Sequence, residues 1–133
     1  MKTILIIDDN TDVRENTAEL LELNHFRVLV AGTVDEGFES ARKHLPDIII
    51  CDMTMPALRE NDFLKRLMAD GPVSNIPFIF FSNGSIDPGL KKSFPKEDQK
   101  YLIRPFGEED LMEVVNKTLS NKTGNPNIQQ RRA

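Results

Sequence analysis

The stretch DIIICDMTMP, residues 47–56, decides the fold. Its apolar residues run on without alternating with polar ones, and a short isoleucine-rich run of this kind suits a strand. A strand apolar at successive positions has both faces covered, as in a parallel sheet. The run then breaks into an aspartate and a Met-Thr-Met-Pro segment. A buried strand with a polar group at its tip is the pattern to seek elsewhere in the chain.

Four other runs share it: ILII (4–7), VLVA (28–31), FIFF (78–81) and YLI (101–103). Helical spacing fills the intervals between them. Val13, Thr17, Leu20, Leu21 and Asn24 follow the first run, behind the cap candidates Asn10, Thr11 and Asp12. Thr33 to Glu36 reads as a capping box for a helix that buries Val34, Phe38, Ala41 and Leu45. Phe63, Leu64, Leu67 and Met68 share one face of a third helix, which Gly71-Pro72 is expected to stop. Glu108, Glu109 and Asp110 open a last helix at the favourable end of its dipole, with Leu111, Val114, Val115, Thr118 and Leu119 as its apolar stripe. In the fourth interval, 83–100, Asp87 and Pro88 can start a helix and Pro95 should end it, so a short or irregular element is expected. Residues 1–120 thus read as one domain, while 121–133 lack apolar periodicity and read as a disordered tail. A β-α order repeated five times predicts an α/β fold: a doubly wound, five-stranded parallel sheet with helices on both faces.

Composition narrows the function. A chain of 133 residues, 39% apolar and 29% charged, describes one soluble domain with one core. No apolar run approaches the roughly 20 residues of a membrane span. The short apolar stretch before Asp8 does not make a signal peptide. The single cysteine, Cys51, excludes an internal disulfide, fits a reducing cytoplasm, and reads as a packed small hydrophobe. A net charge of −4 argues against nucleic acid, and the basic pair Arg131-Arg132 reads as a solvated chain end. His25 and His44 have no matching ligand pair.

In a doubly wound sheet, sites gather at the carboxyl ends of the strands. Those ends carry Asp8-Asp9, Asp52, Ser82 and Arg104. Each has an ordinary reading alone: a helix cap, a turn former, a turn residue, a surface ion-pair partner. Their coincidence at one edge is not ordinary. Carboxylates about 4 Å apart repel by roughly 4 kcal/mol at an effective dielectric near 20. Three together must raise their own pKa values or recruit a cation. An all-oxygen set suits a hard divalent ion, and magnesium takes one or two carboxylates, waters and a phosphate oxygen. Arg104 and the Ser82 hydroxyl are the groups that would receive such an anion.

The pieces IIDDN (6–10), IIICDMTMP (48–56), FIFFSN (78–83) and YLIRPF (101–106) resemble, in order and spacing, the receiver domain of bacterial response regulators. The resemblance spans residues 2–120. It implies the CheY-like, flavodoxin-like (βα)5 architecture with strand order 2-1-3-4-5. It implies that Asp52 is the phosphoacceptor, and that Asp8, Asp9, Asp52 and the backbone carbonyl of Thr54 hold Mg2+ (or Mn2+). Ser82, Asn83, Tyr101 and Arg104 would be the phosphoryl-binding and switch set, and Pro105 a proline preceded by a cis peptide. The function implied is a single-domain response regulator of a two-component phosphorelay, working in the cytoplasm. Such a chain is not an enzyme, beyond its own phosphorylation from small donors and its own dephosphorylation. Its implied partners are a histidine kinase or phosphotransfer protein, a downstream protein target and a second copy of itself, with no nucleic acid and no membrane.

The chain departs from the family pattern in places. Arg104 stands where the family has a lysine, and arginine is larger, planar and bidentate. Asn83 replaces a small residue, the loop after Met55-Pro56 lacks a glycine, and so does the segment before the last strand. A pseudo-receiver that signals without phosphate is therefore the alternative reading. A phosphatase of the haloacid dehalogenase type is a weaker one, because such enzymes need an aspartate where Thr54 stands.

Overall fold

In the computed structural model, which describes residues 1–56, 58, 63–84 and 100–123, all five runs are strands. They are β1 (Thr3–Ile7), β2 (Arg27–Ala31), β3 (Ile48–Asp52), β4 (Phe78–Asn83) and β5 (Lys100–Arg104). All neighbouring pairs are parallel, in the order β2-β1-β3-β4-β5. The described helices are α1 (Thr11–Leu23), α2 (Val34–His44), α3 (Phe63–Ala69), α4 (Gly71–Ser74) and α5 (Glu108–Thr123).

Alternation along the strands divides the core in two. Leu5, Ile7, Ile49, Cys51, Phe78 and Phe80 pack against Val34 and Ala41 of α2, Leu67 of α3 and Val73 of α4. Ile4, Ile6, Ile48, Ile50, Ile79 and Phe81 pack against Ala18 and Leu21 of α1 and Leu111 and Val115 of α5. Both faces of the sheet are thereby covered, and each fully buried large side chain contributes roughly 1.5–3 kcal/mol. The coverage ends at the edges. β2 and β5 are the outer strands, and there Val30 is 45% and Ile103 43% exposed despite their continuous apolar runs.

Capping follows the side chains available. Asn10 caps α1 by accepting the Val13 N–H at 3.0 Å. Thr33 caps α2 through the Glu36 N–H, but the Glu36 carboxylate reaches the Gly32 N–H, one residue earlier than a full capping box requires. Two expectations need correction. Leu45 is not buried: it ends α2 in the left-handed region with φ 46°, and it is 51% exposed. Asn24 is the C-cap of α1 and not part of its stripe. α3 ends at Ala69, as Gly71-Pro72 led one to expect, and a short α4 then begins at Gly71 with Asp70 capping it by accepting the Val73 N–H.

Gly37 is a packing requirement. A Cβ there would lie 2.4 Å from Ile7 Cδ1, so only glycine lets α2 approach β1 this closely. The last helix runs through Thr123, into the stretch read as a tail. The element expected around Asp87, Pro88 and Pro95 lies outside the described residues, as do most of the loop after Pro56 and the chain from residue 124. No helix among the described residues is long and apolar enough to cross a membrane.

Candidate functional site

Strand parity places the polar tips. Asp8, Asp52, Asn83 and Arg104 continue the alternation of Ile6, Ile50, Phe81 and Leu102, the residues that pack beneath α1 and α5. Register then brings them side by side: Ile7 pairs with Cys51, Asp52 with Phe81, and Asn83 with Arg104. One carboxylate oxygen from each of Asp8, Asp9 and Asp52 lies within 4.8 Å of the others, and this group includes two buried residues and one exposed one.

Asp8 is held at every polar atom. Its N–H donates to the Ala31 carbonyl at 3.1 Å, and its own carbonyl accepts from Arg14 Nη1 at 2.9 Å. Oδ1 accepts the Asn10 N–H at 2.9 Å and Oδ2 accepts Arg104 Nη2 at 3.3 Å. Burial pushes its carboxyl above the ordinary aspartate range. The Asn10 N–H opposes that shift, the neighbouring Asp52 charge adds to it, and Arg104 opposes it more weakly. The Asp52 carboxylate gathers its donors on one oxygen. Oδ1 accepts the Thr54 N–H at 2.9 Å and the Thr54 hydroxyl at 2.7 Å, with Arg104 Nη1 at 3.8 Å. Oδ2 accepts no hydrogen bond among the described residues.

Arg104 faces inward. Its guanidinium spans Asp8, Asp52 and the Asn83 amide oxygen, which it meets at 3.1 Å, and its Cζ lies 5.2 Å from the Phe81 ring centroid. The carboxylate distances exceed the 2.7–2.9 Å or so of a tight charged hydrogen bond, so this cation is shared between two acids and clamped on neither. The Arg104–Pro105 peptide is cis.

Ser82 is fully buried at the end of β4, and Tyr101 is half-buried on β5. Tyr101 stacks on Phe80 with centroids 5.7 Å apart and packs with the α2, α3 and α4 side of the core. These two have the opposite strand parity from Asp52 and Arg104. Cys51 is wholly buried on that side as well, and burial, then the Asp52 and Asp8 charges, push its thiol far up, which keeps it inert. Sequence reasoning missed the Thr54 hydroxyl, the Asn83–Arg104 bond and Arg14. Contacts to a backbone carbonyl or across a strand register leave no mark in a single sequence.

Three convergent carboxylates with a desolvated member fit a hard divalent cation. The guanidinium beside them fits an oxyanion.

Comparison with known proteins gives the family. The family model described as the response regulator receiver domain matches residues 4–116. Protein PilH of Pseudomonas aeruginosa is 30% identical over 122 residues, 90% of this chain and 99% of PilH. Response regulator Rre1 of Synechocystis sp. is 26% identical over 121 residues, 90% of this chain, and the chain spans about half, 52%, of Rre1. The crystal structure of a response regulator receiver domain protein from Clostridium thermocellum has a TM-score of 0.78 at 28% identity, covering 92% of this chain and 98% of that one.

Proposed function

The chain belongs to the response regulator receiver domain family of two-component signalling, and from that premise we propose that it accepts a phosphoryl group on Asp52 and signals through protein–protein contacts. The observation that carries the reading is the meeting of Asp8, Asp9 and Asp52 within 4.8 Å, with the Arg104 guanidinium on the same pocket.

Asp52 Oδ2 attacks the phosphorus in line. An O–P bond forms as the donor's N–P or O–P bond breaks, and the electron pair leaves with the donor. Asp8, Asp9 and Asp52, helped by the Thr54 carbonyl, would hold Mg2+ or Mn2+, and the ion would supply charge neutralisation to the reacting oxygens. Thr54 fixes Asp52 through Oδ1 and so presents the other oxygen. Arg104 moves from sharing Asp8 and Asp52 to pairing with the phosphoryl oxygens, which its planar fork of donors can bind bidentately. Ser82 and Tyr101 then report the new charge to the β4–β5 face, a population shift that a downstream protein reads. The phosphodonor is a histidine kinase or phosphotransfer protein of the cytoplasm, and a second copy of the chain is a further candidate partner.

A phosphate-independent interaction module is the second reading. It is favoured by the same arginine, whose single charge lies beside both buried aspartates without any ligand. Incubation with Mg2+ and acetyl phosphate, followed by intact mass, separates the two. An adduct in the wild type that is lost in Asp52→Asn is the expected result. No adduct across donors and pH favours the module, and catalytic turnover of phosphoesters contradicts both.

A further inference from the structure

We infer that Arg14 is a positioning residue for the Asp8–Asp9 acid pair, and that Gly32 is glycine so that the Arg14 guanidinium can occupy its place. The inference deepens the divalent-cation reading of the site and rests on it.

Arg14 lies one turn into α1, and its Nη1 donates to the Asp8 carbonyl at 2.9 Å. That carbonyl belongs to the peptide joining Asp8 to Asp9, so the guanidinium sets the plane from which both carboxylates project. Arg14 acts through the backbone: the charges that bear on the Asp8 carboxyl are those of Asp52, Arg104 and Asp9. The guanidinium is largely buried, with its side chain 17% exposed and Nε 3.9 Å from the Glu15 carboxylate. It crosses to the turn between β2 and α2, where a Cβ on Gly32 would come within 3.1 Å of Nη1. The Gly32 N–H is itself tied to Glu36 Oε1 at 3.1 Å, so the turn does not retreat freely. The end of β1, the turn between β2 and α2, and α1 itself thus meet at one arginine. A shift of the Asp8–Asp9 peptide displaces two ligands at once, whereas loss of a surface ion pair displaces none.

The test is a double-mutant cycle read as Mg2+ affinity by titration calorimetry, beside melting temperature in metal-free buffer. Arg14→Ala is expected to weaken Mg2+ about tenfold, and Arg14→Lys, which keeps one donor on the carbonyl, to restore most of it. Gly32→Val is expected to match Arg14→Ala, because its branched side chain displaces the guanidinium. The double variant should be no weaker than Arg14→Ala alone. A lowered melting temperature with unchanged Mg2+ affinity in Arg14→Ala overturns the inference and leaves the site reading intact. Additive losses in the double variant overturn the role of Gly32. Absence of Mg2+ uptake by the wild type overturns the cation site and this inference together.

Discussion

Asp8 and Arg104 show what the pocket costs as single residues. Burial raises the Asp8 carboxyl above its ordinary 3.8, so the folded chain binds that proton more tightly than the unfolded chain does. The resulting loss of stability is absent below the ordinary value, grows as pH rises through the raised one, and persists at neutral pH. Asp8→Asn keeps an acceptor for the Asn10 N–H and removes the charge. It is expected to stabilise the metal-free protein by about 1 kcal/mol at neutral pH, to flatten that part of the pH profile, and to abolish Mg2+ uptake. Urea unfolding at several pH values, with and without Mg2+, checks all three. Arg104 supplies the opposite charge and competes for the same oxygens. An ammonium cannot span Asp8 and Asn83 as the guanidinium does, so Arg104→Lys is expected to raise Mg2+ affinity several-fold in calorimetry. Unchanged affinity would show that the guanidinium is no competitor.

At the scale of elements, two places set backbone against side chain. Gly37 sits in the middle of α2, where alanine would favour the helix by about 1 kcal/mol. The added methyl would collide with Ile7, and overpacking of this kind costs about 1–3 kcal/mol, so Gly37→Ala is expected to be net destabilising in chemical denaturation. Leu45 ends the same helix with φ 46° and half its surface exposed, a conformation that costs a side-chain-bearing residue about 1–2 kcal/mol. Leu45→Gly should raise the melting temperature, and a fall would mean that Leu45 packs more than its exposure shows. These places also mark where reading the sequence stopped. β1, β3 and β4 were legible because central parallel strands are apolar at every position. β2 and β5 were legible as strands too, and it was the family resemblance that put them at the edges, because an edge is made by a missing neighbour, which a run of letters does not contain. Leu45 matched the helical period one position beyond the helix end. In the pocket, the tips Asp8, Asp52 and Arg104 were legible as polar groups closing apolar runs. The Asn83 bond needed the β4–β5 register, and the Thr54 and Arg14 contacts needed the path of the backbone.

For the whole molecule, the sheet is a device for bringing distant charges to one edge. Asp8 and Arg104 are 96 residues apart in sequence, yet three strand pairings and one parity place them 3.3 Å apart. On the proposed function this balance is a resting state, in which Arg104 holds the place of a metal ion and a phosphoryl group. A crystal structure grown with Mg2+ and beryllofluoride, which mimics a phosphoryl group on a carboxylate, tests it most directly. The expected structure has the fluoride adduct on Asp52, the metal between that adduct and the Asp8–Asp9 pair, and Arg104 turned from Asp8 onto the fluorides. An unmodified Asp52 with Arg104 still bridging the two aspartates would contradict it.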